Sequence, residues 1–374
     1  MKSNLKTVVP EGSRETDKYW VPIVGKTIDL LDCFSSAAEA LTLEEVVKRT
    51  KIPHTTAYRI LHTLVRRNYL QQSGRVYRLN RLRRSLKLGF ANLSMRISLA
   101  VEIQRSLEKA SLAAGIDLVI WDNNRDADTA IRNAEAMVKD KIDLAIEFQL
   151  FEQVAPVIAD IFSRSGIPLI SVVNPHHGTL YFGVDNYRAG FCAGMALAEY
   201  ATKYWSGRLD MLVLLESPRA GRTVQSRLVG VLKGVEERLG RLPKNSVHHI
   251  DGGGEKPTAK VAVEEFLSRR TAKRVLLAGI NDESAIGAAQ AAAQARRNQE
   301  IAIVGHGGSS EMTEVIADPQ SACIGTVSFR PDLYGPELVS FGMPILQGRS
   351  SAPARYVPHE FLGKNLPAQV RRDQ

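Results

Sequence analysis

LTLEEVVKRTKIPHTTAYRILHTLVRRNYL, residues 41–70, sets two helix signatures around one break. Thr42 stands three residues before Glu45, the spacing of a capping box. In that box the hydroxyl takes the glutamate N–H and the carboxylate returns to the threonine N–H. Leu43, Val46 and Val47 give the short helix that follows a buried face. Lys51-Ile52-Pro53 ends it, because proline has no N–H to donate and biases Ile52 away from helical geometry. A second helix follows, with His54 or Thr55 as its cap and Ala57, Ile60, Leu61, Leu64 and Val65 as its apolar stripe. Its other face carries Thr55, Thr56, Tyr58, Arg59, His62 and Thr63. Short hydroxyls, an aromatic and an arginine able to reach a guanine edge or a phosphate are side chains with which a helix reads duplex DNA. An ordinary solvated face has a similar composition, so the flanking sequence has to decide.

Upstream, Ile28, Leu30, Leu31 and Phe34 in KTIDLLDCFSSA (26–37) recur at helical spacing. Downstream, YLQQSGRVYRL (69–79) reads as two short strands around a Ser73-Gly74 turn, with Arg75 at the tip. Helix, short helix, turn, helix, hairpin is the order of a winged helix-turn-helix. Charge agrees: residues 1–84 hold 16 Lys and Arg against 8 Asp and Glu, a net of +8 out of +9 for the chain. Such an asymmetry is the footprint of a nucleic-acid-binding module joined to a near-neutral domain. Residues 1–23 read as a flexible arm and 24–80 as the DNA-binding domain. The basic segment 81–85 reads as a linker that either lies along phosphates or is simply solvated.

Residues 24–80 resemble the winged-helix module of the IclR family of transcription regulators. The resemblance is carried by the opening helix Lys26–Phe34, the 41–70 segment and the wing ending in YRLN (77–80). It implies that the helix after the proline turn enters the major groove, so that His54, Thr55, Thr56, Tyr58 and Arg59 contact bases or phosphates. His62 on the same face and Arg75 on the wing complete the expected interface with double-stranded operator DNA.

From Leu86 strands and helices alternate. LKLGFANL, DLVIWDN, DLAIEFQ and PLISVVN are strands with helices between them, and MLVLLES, VHHID, RVLLAG and IAIVGH repeat the pattern after Asp185. Helices are expected at Gly190–Tyr204, Arg227–Leu239 and Glu283–Ala295, among others. Alternation of this kind predicts an α/β fold of parallel sheets with right-handed crossovers. Two successive units of similar size predict two lobes, with ligands at strand carboxyl ends and between the lobes.

GIPLISVVN (166–174), FGVDNYRAGFCAG (182–194), AGRTVQSRLVGVLKGV (220–235), AGINDESAIGAAQA (278–291) and IAIVGHGG (301–308) make residues 86–370 resemble the type I periplasmic binding proteins, ribose-binding-like proteins and LacI-family sensors in particular. By that template one lobe holds about 86–184 and 330–355, and the other about 185–329 and 356–370. The resemblance implies a sugar, polyol or sugar derivative between the lobes. It places Arg227 and Asn281 at two of the family's ligand contacts, and Asn174, Ser94, Arg96, Glu147, Phe148 and Phe329 at strand ends, loops and crossings near the ligand. Val173 and Gly307 stand where sugar binders carry aspartates, which argues against an ordinary pentose or hexose; a modified sugar, a polyol or an anionic molecule fits an arginine-containing pocket as well. The hinge helix of LacI regulators and the usual IclR sensor are both missing.

An enzyme is the competing class, and a sugar receptor that binds no DNA is the other alternative, one that would need an export signal and no DNA-binding head. His176-His177 and His248-His249 lack a further ligand at metal-site spacing, and Gly252–Gly254 and GHGGSS (305–310) lack the Gly-Lys-Ser/Thr end of a phosphate loop. No enzyme activity, metal or cofactor is therefore expected. Cys33, Cys192 and Cys323 are odd in number and far apart, and read as buried reduced thiols. No apolar run reaches the ~18–20 residues of a membrane span, and the first residues lack a signal-peptide core. The resulting expectation is a cytoplasmic regulator, a repressor by analogy, acting as a homodimer or tetramer without a membrane partner.

Overall fold

The computed structural model describes residues 19–34, 39–80 and 86–364, in two compact units, Met1–Leu86 and Lys87–Gln374. Residues 1–18, the linker 81–85 and the tail beyond 364 lie outside the described residues.

The first unit runs α1 (Pro22–Asp32), β1 (Leu41–Thr42), α2 (Leu43–Thr50), α3 (His54–Arg66), β2 (Leu70–Ser73), β3 (Val76–Leu79). The capping box is formed: Thr42 N donates to Glu45 Oε2 at 2.7 Å and Glu45 N to Thr42 Oγ1 at 3.3 Å. Lys51 ends α2 in the left-handed region, φ 57°. Leu30, Phe34, Leu41, Val46, Ile52, Ala57, Leu61, Leu70 and Tyr77 form one core. β3 pairs antiparallel with both β2 and β1, so the hairpin is anchored to the strand that leads into α2.

Four sequence expectations need correction here. Helix α1 starts at Pro22, inside the stretch read as an arm, because proline suits a first helical turn. Ile28 faces outward, 52% exposed, while Leu30 and Phe34 carry the contact with the core. Pro53 is the N-cap of α3, with no side-chain cap bond, and His54 is its first helical residue. Cys33 is half-buried, unlike Cys192 and Cys323.

The second unit is α/β throughout. It begins β4 (Lys87–Asn92), α4 (Ser98–Ala113), β5 (Asp117–Asp122), α5 (Ala127–Lys139), β6 (Leu144–Phe148), α6 (Ala155–Ser165), β7 (Leu169–Val172), β8 (Leu180–Gly183). It continues α7 (Asn186–Trp205), β9 (Met211–Glu216), α8 (Gly221–Leu239), β10 (Val247–Asp251), α9 (Lys256–Ser268), β11 (Val275–Gly279), α10 (Asp282–Gln294), β12 (Ile301–Gly307). It closes with α11 (Ser310–Ala317), β13 (Cys323–Ser328), α12 (Pro331–Leu346), β14 (Ala354–Tyr356), β15 (Glu360–Gly363).

Two six-stranded sheets result, ordered β14-β8-β7-β6-β4-β5 and β10-β9-β11-β12-β13-β15. All pairs are parallel except β13 with β15. The chain passes between the sheets after β8, after β13, and between β14 and β15, and α12 packs back on α4 of the first lobe. In the second lobe α7 packs along α8 on glycines: a Cβ on Gly190 would lie 1.8 Å from the Arg227 carbonyl, and one on Gly194 2.2 Å from that of Val231. Helix α7 begins at Asn186, ahead of the expected Gly190, because the Asp185 carboxylate caps it through Arg188 N at 3.0 Å. Helix α8 begins at Gly221, six residues before Arg227, following a 3₁₀ turn at Pro218–Ala220.

Candidate DNA-reading head and effector cleft

In the first unit, α3 buries Ala57, Ile60, Leu61 and Leu64 and turns His54, Thr55, Tyr58, Arg59, His62 and Thr63 to solvent. Thr56 is half-buried. Tyr58 and His62, one turn apart, have ring centroids 6.2 Å apart. Thr56, Arg59 and Thr63 border a groove whose other bank is Pro22, Ile23, Lys26 and Thr27 of α1. Lys26 is a cation that the α3 pattern alone did not single out. At the hairpin, Gly74 takes φ 60° and presents Arg75 exposed. Among the described residues neither Arg59 nor Arg75 is engaged in an ion pair, whereas Arg49 is tied to Glu39 at 2.8 Å and to the Cys33 carbonyl at 2.9 Å. Two unengaged cations on a helix face and a wing tip can meet phosphate or guanine without first breaking an internal bond.

In the second unit a cavity with about 590 Å³ of empty space, part of it open to solvent, lies at the carboxyl ends of both sheets. The first lobe contributes Leu93, Ile97, Arg125, Phe148, Leu150 and Val173; the second contributes Ser217, Val224, Arg227, Ile280, Asn281 and Glu283. Of the residues proposed from sequence, the wall thus unites Phe148, Arg227 and Asn281.

Arg227 projects from α8 and is 4% exposed. Its Nε donates to Asn186 Oδ1 at 2.6 Å, its Nη1 to the Ile280 carbonyl at 2.9 Å, and its guanidinium lies 4.6 Å from the centre of the Phe329 ring. Burial pulls its pKa down to about 10, and among the described residues no carboxylate pairs with it. Asn281 is committed locally: Oδ1 caps α10 through Ser284 N at 3.0 Å, and Nδ2 holds the Gly254 carbonyl at 2.9 Å. Burial also raises Glu283 to about 7, helped by the neighbouring Asp282.

The other proposed residues do not line this cavity. Phe329 is fully buried and serves as the platform under Arg227. Glu147 alternates with Phe148 along β6 and points into the lobe, where Asn123 Nδ2 donates to its Oε1 at 2.7 Å and its Oε2 has no partner among the described residues; burial raises its pKa to about 8. Ser94 is buried, and its hydroxyl accepts from Arg96 N at 3.2 Å. Arg96 is exposed and donates to Asn124 Oδ1 at 2.5 Å. Asn174 is buried, its side-chain nitrogen has no partner among the described residues, and its carbonyl accepts from His176 Nδ1 at 2.9 Å. His176, held to about 4 by burial, is neutral and accepts from Gln149 Nε2 at 3.1 Å, which braces the ends of β6 and β7.

Sequence reading missed Arg125, Ser217, Glu283 and the apolar wall. Arg125 is charged and follows a strand, which was a usable signal; Leu93, Ile97, Leu150 and Val224 are indistinguishable from core. Arg125 pairs with Glu255 of the other lobe and donates to the Gly253 carbonyl at 3.2 Å. Glu152 accepts from Arg222 N at 2.6 Å, Glu102 from Ser310 N at 2.9 Å, and Glu311 from Ser98 Oγ at 3.3 Å. These bonds cross the cleft and hold the lobes closed over the cavity. Val173 adds backbone strain at the wall, with φ 67° on a β-branched residue.

Among the described residues no helix is long and apolar enough to cross a membrane, and no cluster of His, Cys, Asp or Glu is placed to hold a metal ion. Residues 88–350 match the family model described as periplasmic binding protein domain, and residues 24–74 match the IclR helix-turn-helix domain. A curated relative, the Pca regulon regulatory protein of Pseudomonas putida, is 32% identical over 95 residues, 25% of this chain. The chain spans 32% of that protein's length. Among solved structures, a periplasmic solute-binding protein of an ABC transporter from Actinobacillus succinogenes with bound D-allose is 16% identical, with TM-score 0.65 over 74% of this chain and 97% of that one. A Mycobacterium smegmatis structure in complex with β-D-fucofuranose is 21% identical, with TM-score 0.65 over 76% and 92%. A solute-binding protein from Bacillus halodurans with bound myo-inositol is 15% identical, with TM-score 0.64 over 75% and 94%. At these identities the likeness is one of fold.

Proposed function

Because this chain belongs to the periplasmic binding protein domain family and carries an IclR helix-turn-helix domain ahead of it, we propose that it is a transcription regulator whose operator affinity is set by a small polar effector held between the two lobes. The observation that carries the proposal is the presence in one chain of an α3 face free to meet DNA and a cleft holding a buried, unpaired Arg227. His54, Thr55, Thr56, Tyr58, Arg59 and His62 read the major groove, and Arg75 on the wing contacts phosphate or the minor groove. Arg227 is the anchor for the effector, with Phe148 and Asn281 beside it. Fold kinship with sugar- and polyol-bound structures puts sugars, polyols and their derivatives in the first panel to screen. The protein works in the cytoplasm as a dimer, or a tetramer of dimers, on an inverted-repeat operator, and as a repressor by analogy with related regulators.

Selection of bound duplexes from a random pool by the full chain, followed by titration of the selected sequence, tests the DNA half. A repeated motif bound by the full chain and not by residues 87–374 supports the assignment. Equal binding by that fragment refutes it.

A further inference from the structure

We propose that the cavity takes an organic acid, a single carboxylate on an apolar body, in preference to a polyhydroxylated sugar; this rests on the reading of the cleft as an effector site. The guanidinium of Arg227 is surrounded by an amide oxygen, a backbone carbonyl and an aromatic ring, none of which carries charge. Asp282, the carboxylate nearest to it in electrostatic effect, is already occupied by Thr326 Oγ1 at 2.6 Å and by Ser309 N and Oγ at 2.8 and 2.9 Å. A buried cation without a counter-charge is unfavourable, and the planar fork of a guanidinium matches a carboxylate. The ligand supplies the missing charge.

Most of the rest of the wall fits an apolar body. Leu93, Ile97, Phe148, Leu150, Val173 and Ile280 line the cavity, with Arg125, Ser217, Asn281 and Glu283 as its polar members besides Arg227. A sugar brings hydroxyls on every side, each of which must exchange water for a protein partner. The polar groups on the wall are partly engaged: Asn281 uses Oδ1 on Ser284 N and an Nδ2 proton on the Gly254 carbonyl, Arg125 is tied to Glu255 and the Gly253 carbonyl, and Ser217 and Glu283 are the other polar side chains there. Val173 keeps an isopropyl group at the wall even though its backbone sits in a region unfavourable to β-branched residues.

The test is calorimetric and thermal-shift titration of the full chain with matched probes: benzoate against benzyl alcohol, hexanoate against 1-hexanol, and D-allose and myo-inositol as polyols. An acid is expected to bind at least about 30-fold more tightly than its matched alcohol, and Arg227→Gln is expected to erase that preference. Val173→Asp supplies a second variant for the case in which Arg227→Gln does not fold. Aspartate tolerates a positive φ better than valine, and a carboxylate on the wall is expected to weaken acid binding by at least about tenfold. Equal binding of acid and alcohol overturns the proposal, as does acid binding that neither variant alters. Binding of D-allose or myo-inositol without either acid overturns the proposal and leaves the cleft reading standing. A panel in which no compound binds overturns both.

Discussion

Gly190→Ala tests how the site is positioned, because it sets two well-measured effects against each other. Alanine in an exposed helix interior is favoured over glycine by roughly 0.8–1 kcal/mol. By propensity alone the variant of α7 is more stable than the parent. Yet the added Cβ would sit 1.8 Å from the Arg227 carbonyl, about 1.6 Å inside the 3.4 Å at which ordinary contact begins. The obstacle is backbone, so no rotamer change relieves it, and α7 and α8 have to separate. Overpacking of this kind costs roughly 1–3 kcal/mol and sometimes more. The net expectation is destabilisation by about 1–2 kcal/mol or more in urea denaturation. The residue pushed is also the one whose guanidinium is held at 2.6 Å to Asn186 and 2.9 Å to Ile280. Effector affinity should therefore fall along with stability. A Gly190→Ala protein as stable as the parent, or more so, with unchanged ligand affinity would refute the close-packed α7–α8 positioning of Arg227.

Arg59→Ala should weaken operator binding by roughly 1–3 kcal/mol and relax the sequence preference if Arg59 reads a base, while Arg75→Ala should reduce the salt dependence of binding by about one phosphate contact; operator titrations over a salt series separate the two. Glu147→Gln addresses pH. The buried carboxyl is raised to about 8, so folding takes up a proton between its unfolded pKa near 4.5 and that value, and stability falls as pH rises through this window. The slope, at most roughly 4–5 kcal/mol over the window, should flatten in Glu147→Gln when urea denaturation is followed from pH 5 to pH 9; an unchanged slope would place the titration elsewhere.

Much of the architecture is legible in the sequence where local chemistry and period agree. Thr42 and Glu45, the Ile52-Pro53 break and the stripe from Ala57 to Leu64 define the head without tertiary information. The apolar runs of β4, β6, β7, β9, β11 and β12 likewise announce a parallel sheet. What escaped has physical causes. Strands β14 and β15 are short, and each is defined by the sheet edge it joins rather than by its own pattern. Helix α12 contains Pro336 and Pro344, which disguise its period. Helix α8 opens on a glycine at φ 79°, which reads as loop. In the cleft, Arg227 is legible as a basic residue on a helix after a strand. The wall around it is made of leucine, isoleucine and valine, which sequence cannot separate from core, and Phe329 turns out to be a support beneath Arg227.

Coupling between cleft and head is the central claim, and thermodynamic linkage gives it a strict test. Operator affinity should be measured with and without a saturating effector found by the probe titrations, and effector affinity with and without saturating operator. If the two sites bias one equilibrium, the two ratios are equal, within the 5–150-fold range typical of coupled sites. They should both collapse to one in an Arg227→Ala protein that retains its effector-free operator affinity. An effector that binds with high affinity and leaves operator affinity unchanged would contradict the account, because the cleft and the DNA-reading head would then be independent.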